Sequence, residues 1–127
     1  MTLLAALLLM QGAAAPEPAW QALGVHGGID TAFDPASVSR VEANRVRVRI
    51  RGTAQAAGPD GIRTVTGTTE IACAAGTATA IDVKGYDAAG RLLLNAVVPS
   101  ADRVAEPIRP DSPNAAVRAR VCGGAAQ

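Results

Sequence analysis

The stretch Arg45-Val46-Arg47-Val48-Arg49-Ile50-Arg51 alternates strictly between a cation and a β-branched aliphatic residue. Successive side chains leave a strand on opposite sides, so a period of two marks a strand with one buried face and one wet face. Val46, Val48 and Ile50 belong to a core by this reading, and Arg45, Arg47, Arg49 and Arg51 to the solvent side. The rest of the chain has to supply partners for this strand and a cover for its aliphatic face.

Upstream, residues 20–25 alternate well enough to form a first strand, and His26-Gly27-Gly28 reads as a turn. Residues 29–33 resume an extended pattern. Asp34-Pro35-Ala36-Ser37 suits a turn or a single helical turn capped by Asp34. Downstream, residues 54–61 form a loop that ends in Gly58-Pro59-Asp60-Gly61. A threonine-rich strand over 64–73 puts Thr64, Thr66, Thr68 and Glu70 on one face, with Val65, Thr69, Ile71 and Cys73 on the other. A further strand spans 77–86, and Asp87-Ala88-Ala89-Gly90 is a hairpin turn whose glycine takes the positive φ. The next strand, 91–98, is closed by Pro99.

The period changes near the C-terminus. Ser112-Pro113 is an N-cap followed by proline at the first helical position. Val117 and Val121 are four residues apart on one face, Gly123-Gly124 stops the helix, and Cys122 adjoins the apolar side. The expected architecture is α+β: an antiparallel sheet of five or six strands with one C-terminal helix packed on it. A bond between Cys73 and Cys122 would pin that helix to the sheet.

The N-terminus indicates where such a bond would form. Residues 3–10 are an uncharged apolar run ending in Gly12-Ala13-Ala14-Ala15, the small-residue pattern of a secretory cleavage site. No Lys or Arg precedes it, and Pro16 disfavours cleavage after Ala15, so a cut after Ala14 is expected. This divides the chain into a signal peptide, 1–14, a linker, 15–19, and one domain, 20–124. No cysteine directly follows the apolar run and no other run approaches the ~20 residues of a membrane span, so neither a lipid anchor nor a span is expected. The product is expected in the periplasm or secreted, where two thiols can become a structural bridge. Such a bridge closes a loop of about 50 residues, which chain entropy values at roughly 4 kcal/mol. The alternative is a pair of free thiols. With one Trp, one Tyr and one Phe, the core must be aliphatic and the staple correspondingly useful.

Function is less legible. A net charge of +1 and a pI near 7.8 exclude a global field for nucleic acid or acidic partners. His26 sits in a turn, away from any serine or cysteine in a nucleophile context, and reads as a solvated turn residue. Asp30, Asp34, Asp82 and Asp87 show no spacing of a metal loop or an acid–base pair. Two cysteines and one histidine are too few for structural zinc. No enzyme, metal or cofactor is expected. The arginine face, Arg45, Arg47, Arg49 and Arg51, is the candidate for binding a polyanion or a protein partner. The competing reading is a solvated outer face partnered by Glu70 and the neighbouring threonines. No aromatic residue interleaves with the arginines, which argues against stacking on nucleic-acid bases.

Taken in order, several segments resemble the surface-adhesin protein E family of Gram-negative bacteria. They are Trp20, Phe33-Asp34-Pro35-Ala36-Ser37-Val38, the alternating strand, Glu70-Ile71-Ala72-Cys73, Tyr86-Asp87-Ala88-Ala89-Gly90, Pro110-Asp111-Ser112-Pro113 and Val121-Cys122. The resemblance covers about residues 20–123. It implies an antiparallel sheet with a C-terminal helix, a Cys73–Cys122 bridge, export, and binding of host or envelope ligands in place of catalysis. The chain departs from the family where members often carry a tryptophan, having Val104-Ala105-Glu106 before Pro107-Ile108, and it lacks a lysine-rich segment. The expected function is that of a non-enzymatic exported envelope or binding protein. The alternative is a small periplasmic inhibitor or accessory subunit of an envelope enzyme, acting through loop 54–61.

Overall fold

The computed structural model describes residues 18–123. The expected signal peptide and its cleavage site lie outside those residues, as does Gly124. The described chain forms β1 (Gln21–His26), β2 (Ile29–Phe33), β3 (Ser39–Glu42), β4 (Arg45–Ala54), β5 (Thr64–Ala72), β6 (Thr77–Tyr86), β7 (Leu92–Val97), β8 (Glu106–Pro107) and one helix, α1 (Pro113–Val121). All strand pairs are antiparallel and form one sheet in the order β1-β2-β4-β5-β6-β7.

The expectation of five or six strands is corrected to eight. The six-strand path is the expected sheet, and two short strands complete its edges: β3 pairs with β4, and β8 with β6. The central strands β4 and β6 are each ten residues long, so one flank can hold two partners in succession. β2 occupies β4 from Ile50 to Ala54, and β3 occupies it from Arg45 to Arg47. β7 lies along β6 from Asp82 to Tyr86, and β8 meets it only at Thr77 and Ala78. Neither short strand has an alternating pattern to read. β3 is exposed at all four positions and bulges between Arg40 and Glu42, and β8 has two residues, one a proline.

The period-two reading of β4 holds. Val46, Val48 and Ile50 pair with Ile71, Thr69 and Gly67 across β5, and they join Phe33, Cys73, Ala78, Val117 and Cys122 in the core. Two residues of β5 depart from expectation. Val65 is on the core side but 40% exposed, because α1 packs over β1, β2 and β4 and Val65 lies towards the far end of β5. Thr66 is on the arginine side, yet only 7% of it is exposed. Between Thr68 and Thr69 the β5–β6 register slips by one residue and leaves Ile81 as the extra residue on β6. Gly67 is required beside that bulge, since a β-carbon there would run into the carbonyl of Asp82.

The helix is placed by its caps and ties. Ser112 Oγ accepts the Ala115 N–H at 3.2 Å, Pro113 follows it, and Gly123 leaves the helix with φ +59°. Val117 is fully buried. The Cys73–Cys122 disulfide is formed, with the two Cα atoms 5.7 Å apart. Beside it, Arg118 donates from Nη2 and Nε to the Cys73 carbonyl at 2.6 and 3.2 Å, while Arg120 lies over the Phe33 ring at 5.7 Å. No helix among the described residues is long and apolar enough to cross a membrane.

Candidate binding face

Residues directly opposite in an antiparallel pair share a face. The register therefore lays rows across the side of the sheet that α1 leaves open. Arg47 stands opposite Glu70 and then Thr79; Arg49 opposite Thr68, then Asp82 and Val97; and Arg51 opposite Thr66, then Lys84 and Asn95. The result is a threonine floor on β5 with arginines along one side and Lys84 and Asn95 along the other. Sequence reading identified the arginines. It did not bring Lys84, Asp82 and Asn95 to them, because the bulge at Ile81 shifts the alternation of β6 by one.

The arginines divide into two pairs. Glu70, with only 14% of its side chain exposed, accepts Arg47 Nε on Oε2 at 2.9 Å and Arg45 Nη1 on Oε1 at 3.3 Å. Arg45 Nη1 also lies 3.8 Å from Glu42 Oε1. Glu70 thus serves as the cross-strand partner expected from sequence. Arg49 and Arg51 have no carboxylate within ion-pair distance among the described residues. Their guanidinium carbons instead stand 6.0 and 5.2 Å from the centroid of the Trp20 ring. No aromatic interleaves with the arginines along β4, but the fold brings one to them from outside the strand. Trp20 is distant in sequence and follows no shared period, so only the antiparallel return of β1 and β2 carries it to β4.

The backbone of Arg49 is fixed as well. Its carbonyl accepts the Asp34 N–H at 3.0 Å, and its N–H donates to Ser37 Oγ at 2.8 Å. Both partners belong to the turn between β2 and β3, whose 3-10 segment Pro35–Ser37 is capped by Asp34 Oδ1 accepting the Ala36 N–H at 3.1 Å. This turn was expected from sequence, and it locks the middle of the arginine strand.

The face contains two open hollows. One, of about 330 Å³, is lined by Arg45, Arg47, Glu70, Thr79, Ile81 and Arg103. The other, of about 310 Å³, is lined by Arg49, Thr66, Thr68, Asp82, Lys84 and Asn95. Arg45, Arg47, Arg49, Arg51, Lys84 and Arg103 outnumber the carboxylates of this face, Asp30, Glu42, Glu70 and Asp82, so the face is basic although the whole chain is close to neutral. A third hollow, beside the disulfide, is lined by Arg118, but that guanidinium is already committed to the Cys73 carbonyl.

The other residues weighed from sequence serve local structure. Asp87 caps its hairpin turn, accepting the Arg91 and Ala89 N–H groups on Oδ1 at 2.8 and 2.9 Å, and Gly90 has φ +85°. His26 is half-buried, which corrects the solvated reading. Its Nε2 is 2.8 Å from the Leu23 carbonyl and its Nδ1 3.8 Å from Asp111 Oδ1. Within loop 54–61, the Gly58 N–H donates to the Ile62 carbonyl and the Gly61 N–H to the Gly58 carbonyl. Asp60 Oδ1 accepts the Ile62 N–H at 3.0 Å.

The fold recurs in solved structures of Haemophilus influenzae protein E. One, from a non-typeable strain, is 14% identical with a TM-score of 0.52, over 87% of this chain and 79% of that one. Crystal form II of the same protein is 16% identical with a TM-score of 0.50, over 87% and 96%. At these identities the likeness concerns the fold alone. No curated protein matches the sequence. The sequence itself matches surface-adhesin protein E over residues 20–123, which include every element of the sheet, the helix and both cysteines. The chain belongs to the surface-adhesin protein E family.

Proposed function

We propose that this chain is an exported, non-enzymatic binding module that engages a polyanionic envelope or host ligand through Arg45, Arg47, Arg49 and Arg51. The observation that carries this reading is the unequal neutralisation of those arginines. Arg45 and Arg47 share Glu70, whereas Arg49 and Arg51 rest on Trp20 and keep their charge. A guanidinium held over an aromatic ring retains its donors for an anion and has less freedom to lose on binding. A rigid sheet also suits binding, because the arginines repeat along β4 at about 6.6–6.8 Å. The disulfide and the apolar segment 3–10 support export, and a periplasmic or secreted product cut near Ala14 is part of this reading.

Retention on immobilised heparin and on lipopolysaccharide tests the reading. Wild-type protein is expected to bind at low salt and to elute before physiological ionic strength, where screening acts over about 8 Å. The triple variant Arg47→Gln, Arg49→Gln, Arg51→Gln is expected to lose retention with its thermal transition nearly intact, because these side chains point away from the core. Absence of any low-salt affinity in the wild type would leave the arginine strand as a solvated outer face partnered by Glu70 and the neighbouring threonines.

A further inference from the structure

We infer that the hollow between Arg49 and Lys84 is a subsite for one residue of an acidic glycan, with Asp82 and Asn95 reading its hydroxyl groups. This rests on the proposed polyanion-binding face and specifies its ligand. At about 310 Å³ the hollow falls at the lower end of small-ligand sites, which run from about 300 to 1,000 Å³. Its polar lining is mixed: Arg49 and Lys84 are cations, Asp82 is a carboxylate, Asn95 has both donors and acceptors, and Thr66 and Thr68 bring hydroxyls.

A site built for bare phosphate or sulfate gains nothing from a carboxylate in its wall, since the two anions repel. Nor does the fold require that negative charge. Asp82 Oδ1 accepts the Thr68 N–H at 3.0 Å where the bulge breaks the β5–β6 ladder, and an asparagine oxygen would serve equally there. The charge on Asp82 is therefore available for a donor from outside. An acidic sugar meets the whole set, offering an anionic group to Arg49 and Lys84 and hydroxyl donors to Asp82 and Asn95. A peptide fits less well. Sheets take peptides along unpaired strand edges; the one edge here is β7, which brings only Asn95 of the polar lining, whereas Arg49, Thr66, Thr68, Asp82 and Lys84 stand on β4, β5 and β6, each paired on both flanks.

The test uses the folded exported protein titrated with a heparin-derived tetrasaccharide, and separately with polyphosphate of similar charge, at low salt. Asp82→Asn keeps the acceptor for Thr68 but removes the charge. It is expected to weaken the tetrasaccharide by about tenfold, the scale of losing a hydrogen bond to a charged group, and to strengthen polyphosphate. Asn95→Ala is expected to weaken the tetrasaccharide more than polyphosphate, because a phosphate uses only the amide donors whereas a hydroxyl uses donor and acceptor. If Asp82→Asn strengthens both ligands, or leaves the tetrasaccharide unchanged, the glycan subsite is wrong while the basic face stands. If neither ligand binds the wild type, the basic face itself is wrong.

Discussion

Trp20 decides how the arginine strand behaves. Without it, Arg49 and Arg51 would be long, mobile cations whose immobilisation would cost an arriving anion side-chain entropy. Over the indole they are already gathered, at 6.0 and 5.2 Å from its centroid. An exposed cation–π contact is worth about 0.5–1 kcal/mol, so Trp20→Ala should weaken polyanion binding about two- to fivefold for each arginine it releases. Trp20→Phe should retain most of the affinity, and retention on heparin compares the three proteins. As the chain's single tryptophan, Trp20 is also a reporter, and its emission should shift when a polyanion binds. An unchanged affinity in Trp20→Ala would mean that the indole covers the strand without preparing it. At this scale the sequence shows some things and hides others. The pairing of Arg47 with Glu70 follows from two alternating strands, whereas the Trp20 contact depends on a strand pairing that no period records.

The elements legible in the sequence are those whose local chemistry agrees with their tertiary place. β4 alternates because one of its faces is core, α1 begins at Ser112-Pro113 because the hydroxyl caps it, and the β6–β7 turn ends at Gly90 because φ is positive there. β3, β8 and the bulge at Ile81 are set by partners instead, and each lacks a pattern of its own. The β6–β7 turn allows a measurement. The Arg91 N–H, bonded to Asp87, holds the carboxyl below the usual aspartate range against an opposing desolvation, and the Arg91 guanidinium and the Ala89 N–H add to the lowering. The folded pKa is lower than the unfolded one, so the unfolded chain takes up the proton first as acid is added. The stabilisation is complete above the usual aspartate value and is lost as pH falls through the lowered one. Asp87→Asn should therefore melt below wild type at neutral pH, and the gap should close in strong acid. A gap that persists unchanged in acid would assign the effect to turn geometry alone.

The core and the proposed binding face lie on opposite sides of one sheet. The α1 side holds the fold together with an aliphatic core that contains Phe33 and no other aromatic residue, and with a disulfide joining residues 49 apart. The far side carries charge and threonines on strands already braced by their backbone ladders. Because α1 covers β1, β2 and β4, Leu94 at the β7 end of the core side stays exposed, as do Leu92 and Leu93 beside it, and the domain has little hydrophobic burial in reserve. Replacing both Cys73 and Cys122 with alanine should then cost about 2–5 kcal/mol, a large share of the roughly 5–15 kcal/mol typical of a domain. Denaturant midpoints of wild type and double variant measure the loss, and a reductant should move the wild type towards the variant. The helix also holds the sheet through Arg118 on the Cys73 carbonyl and Arg120 on Phe33, so the variant should fold at low temperature with α1 more loosely seated. Under those conditions its heparin retention should equal that of wild type, since the bridge is buried in the core, on the side of the sheet away from the arginines. Loss of retention in a variant that is still folded would show the two sides to be coupled through β4, whose Val48 and Arg49 are adjacent in the chain and face opposite ways.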